Sequence, residues 1–174
     1  MLIYAIIVTL LLVGTALVGL IGWKRYYGYI DFFNRQRNRY RYMLRVYDMW
    51  TYAGQKGLSM SEYLIAKNET KIAIHGLDIM GVRIYEGLKN SEIEVIYGIQ
   101  NKTEGVPTDL TVIDEKDCPN LEGISVIVTD YFDFYEIEKR LMEKGAKKIY
   151  SLDEILTNMI IEDQGNLGDI GYGY

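Results

Sequence analysis

Lys71-Ile-Ala-Ile-His-Gly-Leu-Asp-Ile-Met-Gly81 is the stretch that decides the fold. Three apolar positions, Ile72, Ala73 and Ile74, read as a buried strand, and Gly76 then breaks it. Asp78 follows as a helix N-cap residue, and Ile79 opens an apolar-periodic segment. A strand entering a glycine turn that opens a helix is the βα unit in which a helix N-terminus receives a pyrophosphate. Gly76 and Gly81 occupy the first and last places of a Gly-x-Gly-x-x-Gly spacing. The middle place holds Asp78.

Two readings of this turn are open. In the first, Gly76 makes the tight turn, Gly81 lets the helix pack on the strand, and backbone N–H groups around Leu77 and Met80 meet a phosphate. Asp78 opposes it, because a carboxylate fills the space and repels the anion. In the second, Asp78 caps its own helix and fills the anion site from within. A further check lies at the end of the next strand, where NAD sites place an acid about 20 residues beyond the glycines. Here Gln100 stands instead, whose amide could still hydrogen-bond a ribose, with Lys102 the nearest cation.

Strand–helix alternation continues outward from this unit. Lys71–His75 is followed by a helix over Ile79–Leu88, a strand over Glu94–Ile99, and a weaker strand over residues 110–113. Residues 125–129 form a strongly β-branched, central strand. Asp133 and Glu136 box the next helix, Lys144-Gly145 ends it, and residues 148–150 form a short fifth strand. Ser151-Leu-Asp-Glu154 boxes the last helix. This order predicts an α/β fold: a small Rossmann-like domain of about five parallel strands, covered by helices on both faces. Thr129 and Asp130 follow the fourth strand and face the crevice at the strand ends, where ligands bind in such sheets. Asp130 suits a ribose or sugar hydroxyl, or a turn ahead of Asp133. His75, the sole histidine, suits acid–base work or plain packing.

Upstream, residues 2–22 carry no charged side chain and are rich in Leu, Ile and Val. A helix of about 21 residues spans roughly 31 Å, the thickness of a bilayer's hydrocarbon core. No basic residue precedes the run and no Ala-x-Ala-like site follows it, so a retained anchor fits better than a signal peptide. Residues 24–45 hold seven basic side chains against one acid, whereas residues 46–174 hold twelve against twenty-three. The positive flank predicts an N-terminus outside and a cytoplasmic domain at the inner membrane. A lone cysteine, Cys118, suits a reducing compartment, and an acidic soluble part argues against nucleic-acid binding.

The divisions expected are an anchor over 1–22, a basic helical connector over 23–57, the Rossmann-like domain over 58–161 and a disordered Gly- and acid-rich tail over 162–174. In the connector, Tyr40, Met43, Leu44, Tyr47 and Trp50 line one helical face. Arg41 would lie roughly 25 Å from Trp23 along a straight helix, and the Debye length is only about 8 Å. If Arg35 to Arg45 do more than set topology and help hold the membrane, the connector must lie along it; otherwise it extends as a stalk that pairs with a copy or another membrane protein. Thr15-x-x-x-Gly19 allows close helix packing in the anchor.

The residues Lys71–Gly76, Gly81, Glu94–Ile99 and 125–129 together resemble the compact NAD(P)-binding-like Rossmann domains that accompany bacterial surface-polysaccharide enzymes. Examples are the nucleotide-sugar-binding domain of sugar acetyltransferases and the C-terminal domain of sugar C-methyltransferases. The resemblance implies binding of NAD(P) or a nucleotide-sugar at the cytoplasmic face, with Asp78 and Gln100 as its departures. Enzyme signatures fail, which leaves a small NAD(P)-dependent reductase as the third reading, behind a binding module and a scaffold with a lapsed site. Tyr63–Lys67 and Tyr135–Lys139 match Tyr-x-x-x-Lys by chance among 16 tyrosines, and no nucleophile elbow, Walker lysine or metal-spaced Cys/His cluster occurs.

Overall fold

The computed structural model describes residues 1–100, 107 and 109–167. The chain divides into two compact units, Met1–Leu44 and Arg45–Tyr174.

The first unit lies within helix α1, Leu2–Gln55, which is long and apolar enough in its first part to cross a membrane. No proline interrupts it. It ends where Gly57 takes φ +72° and the Leu58 N–H donates to the Ala53 carbonyl at 2.9 Å. This left-handed cap satisfies the last helical carbonyls.

The second unit contains α2 (Met60–Ala66), β1 (Lys71–His75), α3 (Ile79–Leu88), β2 (Glu94–Ile99), β3 (Val112–Ile113), a short 3-10 turn (Glu115–Asp117), β4 (Ser125–Val128), α4 (Phe134–Glu143), β5 (Lys148–Ser151) and α5 (Leu152–Leu167). The five strands form one parallel sheet in the order β3-β2-β1-β4-β5. β1 is therefore central, and the order reverses between β1 and β4. That reversal is where a doubly wound sheet opens its crevice. Ile72, Ala73 and Ile74 are fully buried, as are all four residues of β4. Burial on both faces is why these strands read as unbroken apolar runs. One face packs Ala73, Val126, Val128 and Ile149 against Ile137 and Leu141 of α4. Helices α3 and α5 pack against the sheet, and α2 packs on both of them.

Several local expectations are corrected. The packed face of α1 in the second unit is Val46 and Ala53, both buried, with Met49 reaching Thr157. The expected stripe does lie on one face of the helix, and Leu44 and Tyr47 on it are exposed. Asp133 precedes α4 but makes no side-chain cap bond, since its φ of −104° and ψ of 12° turn it from the capping geometry. β3 shrinks to two residues, with Leu110 buried in the preceding turn. α5 runs to Leu167, where the sequence placed a tail from Glu162; Lys67 Nζ meets Glu162 at 2.8 Å. Lys102 and residues 168–174 lie outside the described residues.

Candidate functional site

The turn after β1 is held by the chain's own side chains. Gly76 takes φ +88°, and its N–H donates to the Ile99 carbonyl at 3.0 Å. Asp78 is the N-cap of α3: Met80 N–H and Gly81 N–H both donate to its Oδ1, at 3.0 and 3.1 Å. Leu77 N–H donates to Gln100 Oε1 at 2.6 Å. The Thr129 hydroxyl donates to the Gly76 carbonyl at 3.1 Å, with the His75 carbonyl 3.3 Å away. A Cβ on Gly76 would collide with that hydroxyl, and one on Gly81 would collide with the Gly76 carbonyl oxygen. The glycines therefore permit close packing of the protein on itself.

These bonds place every candidate residue. Gly76, Leu77, Asp78, Met80, Gly81, Gln100 and Thr129 come together around one turn. Asp130 stands just beyond β4, where its Oδ1 accepts from Phe132 N–H at 3.0 Å and Asp133 N–H at 3.4 Å, so it shapes the chain ahead of α4. The three backbone donors that a phosphate would want, on Leu77, Met80 and Gly81, all point at side-chain oxygens. An added anion must displace a carboxylate from two N–H groups and an amide from a third.

A second cluster lies beside the strand ends, and sequence spacing did not show it. His75 Nε2 is 3.2 Å from Glu115 Oε2, and Arg140 grips the same carboxylate through Nε at 2.5 Å and Nη2 at 3.2 Å. Arg140 first, and His75 after it, hold the Glu115 carboxyl below its ordinary value against the opposing effect of burial. The Nδ1 atom of His75 is buried with no hydrogen-bond partner among the described residues. His75, Glu115 and Arg140 are separated by 40 and 25 residues, so only the fold joins them. Among the described residues no group of three His, Cys, Asp or Glu side chains could hold a metal ion.

A polar network sits at the opposite ends of the strands. Glu69 is buried, yet Ser125 Oγ, Lys147 Nζ and Tyr150 OH donate to it at 2.5, 2.9 and 3.2 Å. It ties the starts of β4 and β5 to the segment before β1. A separate cleft of about 250 Å³, lined by Trp50, Leu58, Met60, Ile84, Leu88 and Met159, shares no residue with the turn. Tyr63 and Tyr135 of the Tyr-x-x-x-Lys matches sit on α2 and α4, and Lys67 is spent on Glu162.

Compared with protein-family models, curated proteins and solved structures, the chain matches none. The Rossmann-like sheet implied by the resemblance is present.

Proposed function

We propose that this chain is a single-pass membrane protein whose Rossmann-like domain stands on the cytoplasmic face as a protein-contact module, its nucleotide site closed from within. The observation that carries the reading is the Asp78 carboxylate on the Met80 and Gly81 N–H groups. Gln100 on Leu77 and Thr129 against Gly76 act in the same sense. Exposed Ile79, Tyr131, Phe132 and Tyr135 follow the ends of β1 and β4, and aromatic side chains of this kind are enriched in protein interfaces. The apolar first part of α1, flanked by Lys24 and Arg25, supports an anchor in the inner membrane with its N-terminus outside.

Thermal-shift titration of the detergent-solubilised chain with NAD(H), NADP(H), and UDP- or CDP-sugars tests this. The wild type is expected to show no rise at millimolar ligand. A ligand at 100 times its Kd would add about 2.7 kcal/mol, so such a rise would restore the competing reading, a nucleotide-sugar module beside a polysaccharide machine. Asp78→Gly separates the two further: affinity appears if the carboxylate closes a latent site, and falls if the carboxylate contacts ligand.

A further inference from the structure

Helix α1 carries apolar residues on two sides, and its own domain uses only one. In the second unit Val46 and Ala53 are buried, whereas Tyr47 is 37% exposed. At 100° per residue Tyr47 stands about 100° from Val46 and farther from Met49 and Ala53. The unused side has a strict period. Tyr26, Phe33, Tyr40 and Tyr47 fall seven residues apart, and Trp23, Ile30, Arg37 and Leu44 precede each of them by three. This is the a/d pattern of a coiled coil over four heptads. Phe33, Tyr40 and Leu44 are each about two-thirds exposed among the described residues.

We infer that α1 pairs with α1 of a second copy as a parallel two-stranded coiled coil continuous with the membrane anchor. Charge placement selects a second copy as the occupant. In this register Lys24, Arg25, Asp31, Arg35, Arg39 and Arg45 all fall at the outward b, c and f positions. The g positions Tyr29, Gln36 and Met43 meet Asn34, Arg41 and Asp48 of the second copy at e, so no like-charge pair forms at these flanking positions, and the one like-charge pair in the seam is Arg37 with its own counterpart. A helix with +6 over residues 24–45 would otherwise repel its twin. Arg37 is the one charged seam residue among these heptads, and a single polar a position fixes register at a cost in stability.

The same register runs into the anchor, where the chemistry of pairing changes. Ala16 and Gly19 take a and d, and Thr15 and Gly22 flank them at g. Thr15 Oγ1 donates to the Leu12 carbonyl at 2.9 Å, which leaves a small, satisfied surface. Within lipid, small residues let helices approach; in water, large apolar residues drive the pairing. The seam therefore switches from small to aromatic side chains where the helix passes its first basic residues. Both copies enter the membrane with the same polarity, which makes the pair parallel. Val46 and Ala53 fall at c, so within the second unit the buried side of α1 is not the side that carries Tyr47.

Cysteine scanning of residues 30–47 in the full-length chain in native membranes, with oxidative cross-linking, tests the pairing. The buried Cys118 of the unsubstituted chain is the control. Strong dimer bands are expected at Phe33, Tyr40, Leu44 and Tyr47, and bands several-fold weaker at Arg35, Arg39, Tyr42 and Arg45. Absence of cross-linking throughout, or cross-linking without the seven-residue period, would overturn the inference. Light scattering of the chain in detergent gives an independent reading: dimer mass for the wild type and monomer mass for Phe33→Glu/Tyr40→Glu. A monomeric wild type overturns the inference and leaves the nucleotide titration untouched.

Discussion

The Leu77 N–H donates to the Gln100 side-chain carbonyl at 2.6 Å, joining the end of β2 to the turn that follows β1. This residue stands where a dehydrogenase would hold a ribose, and here it holds the backbone. Gln100→Leu should therefore cost about 1–3 kcal/mol, because a half-buried N–H loses its acceptor. Gln100→Glu keeps an acceptor and should cost less. Urea unfolding, followed by Trp50 fluorescence, measures the difference.

Asp78→Ala removes the acceptor of two N–H groups in the first turn of α3. The expected loss is about 0.5–2 kcal/mol, and Asp78→Asn should recover most of it. An Ala variant as stable as the wild type would show that water replaces the cap without cost.

Gly81 and Gly87 lie on the same helix and should respond oppositely to alanine. A Cβ at Gly81 runs into the Gly76 carbonyl, a backbone atom that cannot swing aside, whereas one at Gly87 meets nothing within 4 Å. Gly87→Ala should stabilise the domain by up to about 1 kcal/mol through helix propensity. Gly81→Ala should lower the midpoint of thermal unfolding and detach α3 from β1.

Stability should fall at both ends of the pH scale. Burial pushes the Glu69 carboxyl upward, but the Ser125 and Lys147 hydrogen bonds, the Lys147 charge and Tyr150 together bring it below its ordinary value of 4.5. Glu115 is lowered likewise, by Arg140 first. Both contributions are complete above pH 4.5 and disappear as the pH drops through the lower folded values, because the unfolded chain then binds more protons. Burial, followed by the Glu69 charge, raises Tyr150 from 10.0 to about 12. Its unfolded phenol ionises first, so stability should decline from pH 10 upward. Tyr150→Phe should flatten the alkaline arm, and Glu69→Gln should shallow the acid arm, in unfolding free energies measured across pH.

The order of strands and helices was legible because each signal is local. Lys71–His75 announces itself by an unbroken apolar run, Gly57 and Gly145 by their places after periodic helices, and Asp78 by standing one residue before Ile79. The Asp78 cap needs a donor only two or three residues away. Asp133 offered the same signal and failed, since the turn built by Asp130 fixed its backbone elsewhere.

By itself the sequence determined a membrane-length apolar helix, a parallel α/β domain behind it, and an acid at the mouth of the glycine turn. Hydrophobic period, cap chemistry and charge are properties of neighbouring residues, and they act before the chain is folded. Tertiary structure alone decided that Gln100 would occupy Leu77, that Thr129 would close over Gly76, that His75 would share Glu115 with Arg140, and that the domain would take the Val46 side of α1. Each of those contacts joins parts of the chain that only the order β3-β2-β1-β4-β5 and the packing around it bring together, and no local spacing carries that order.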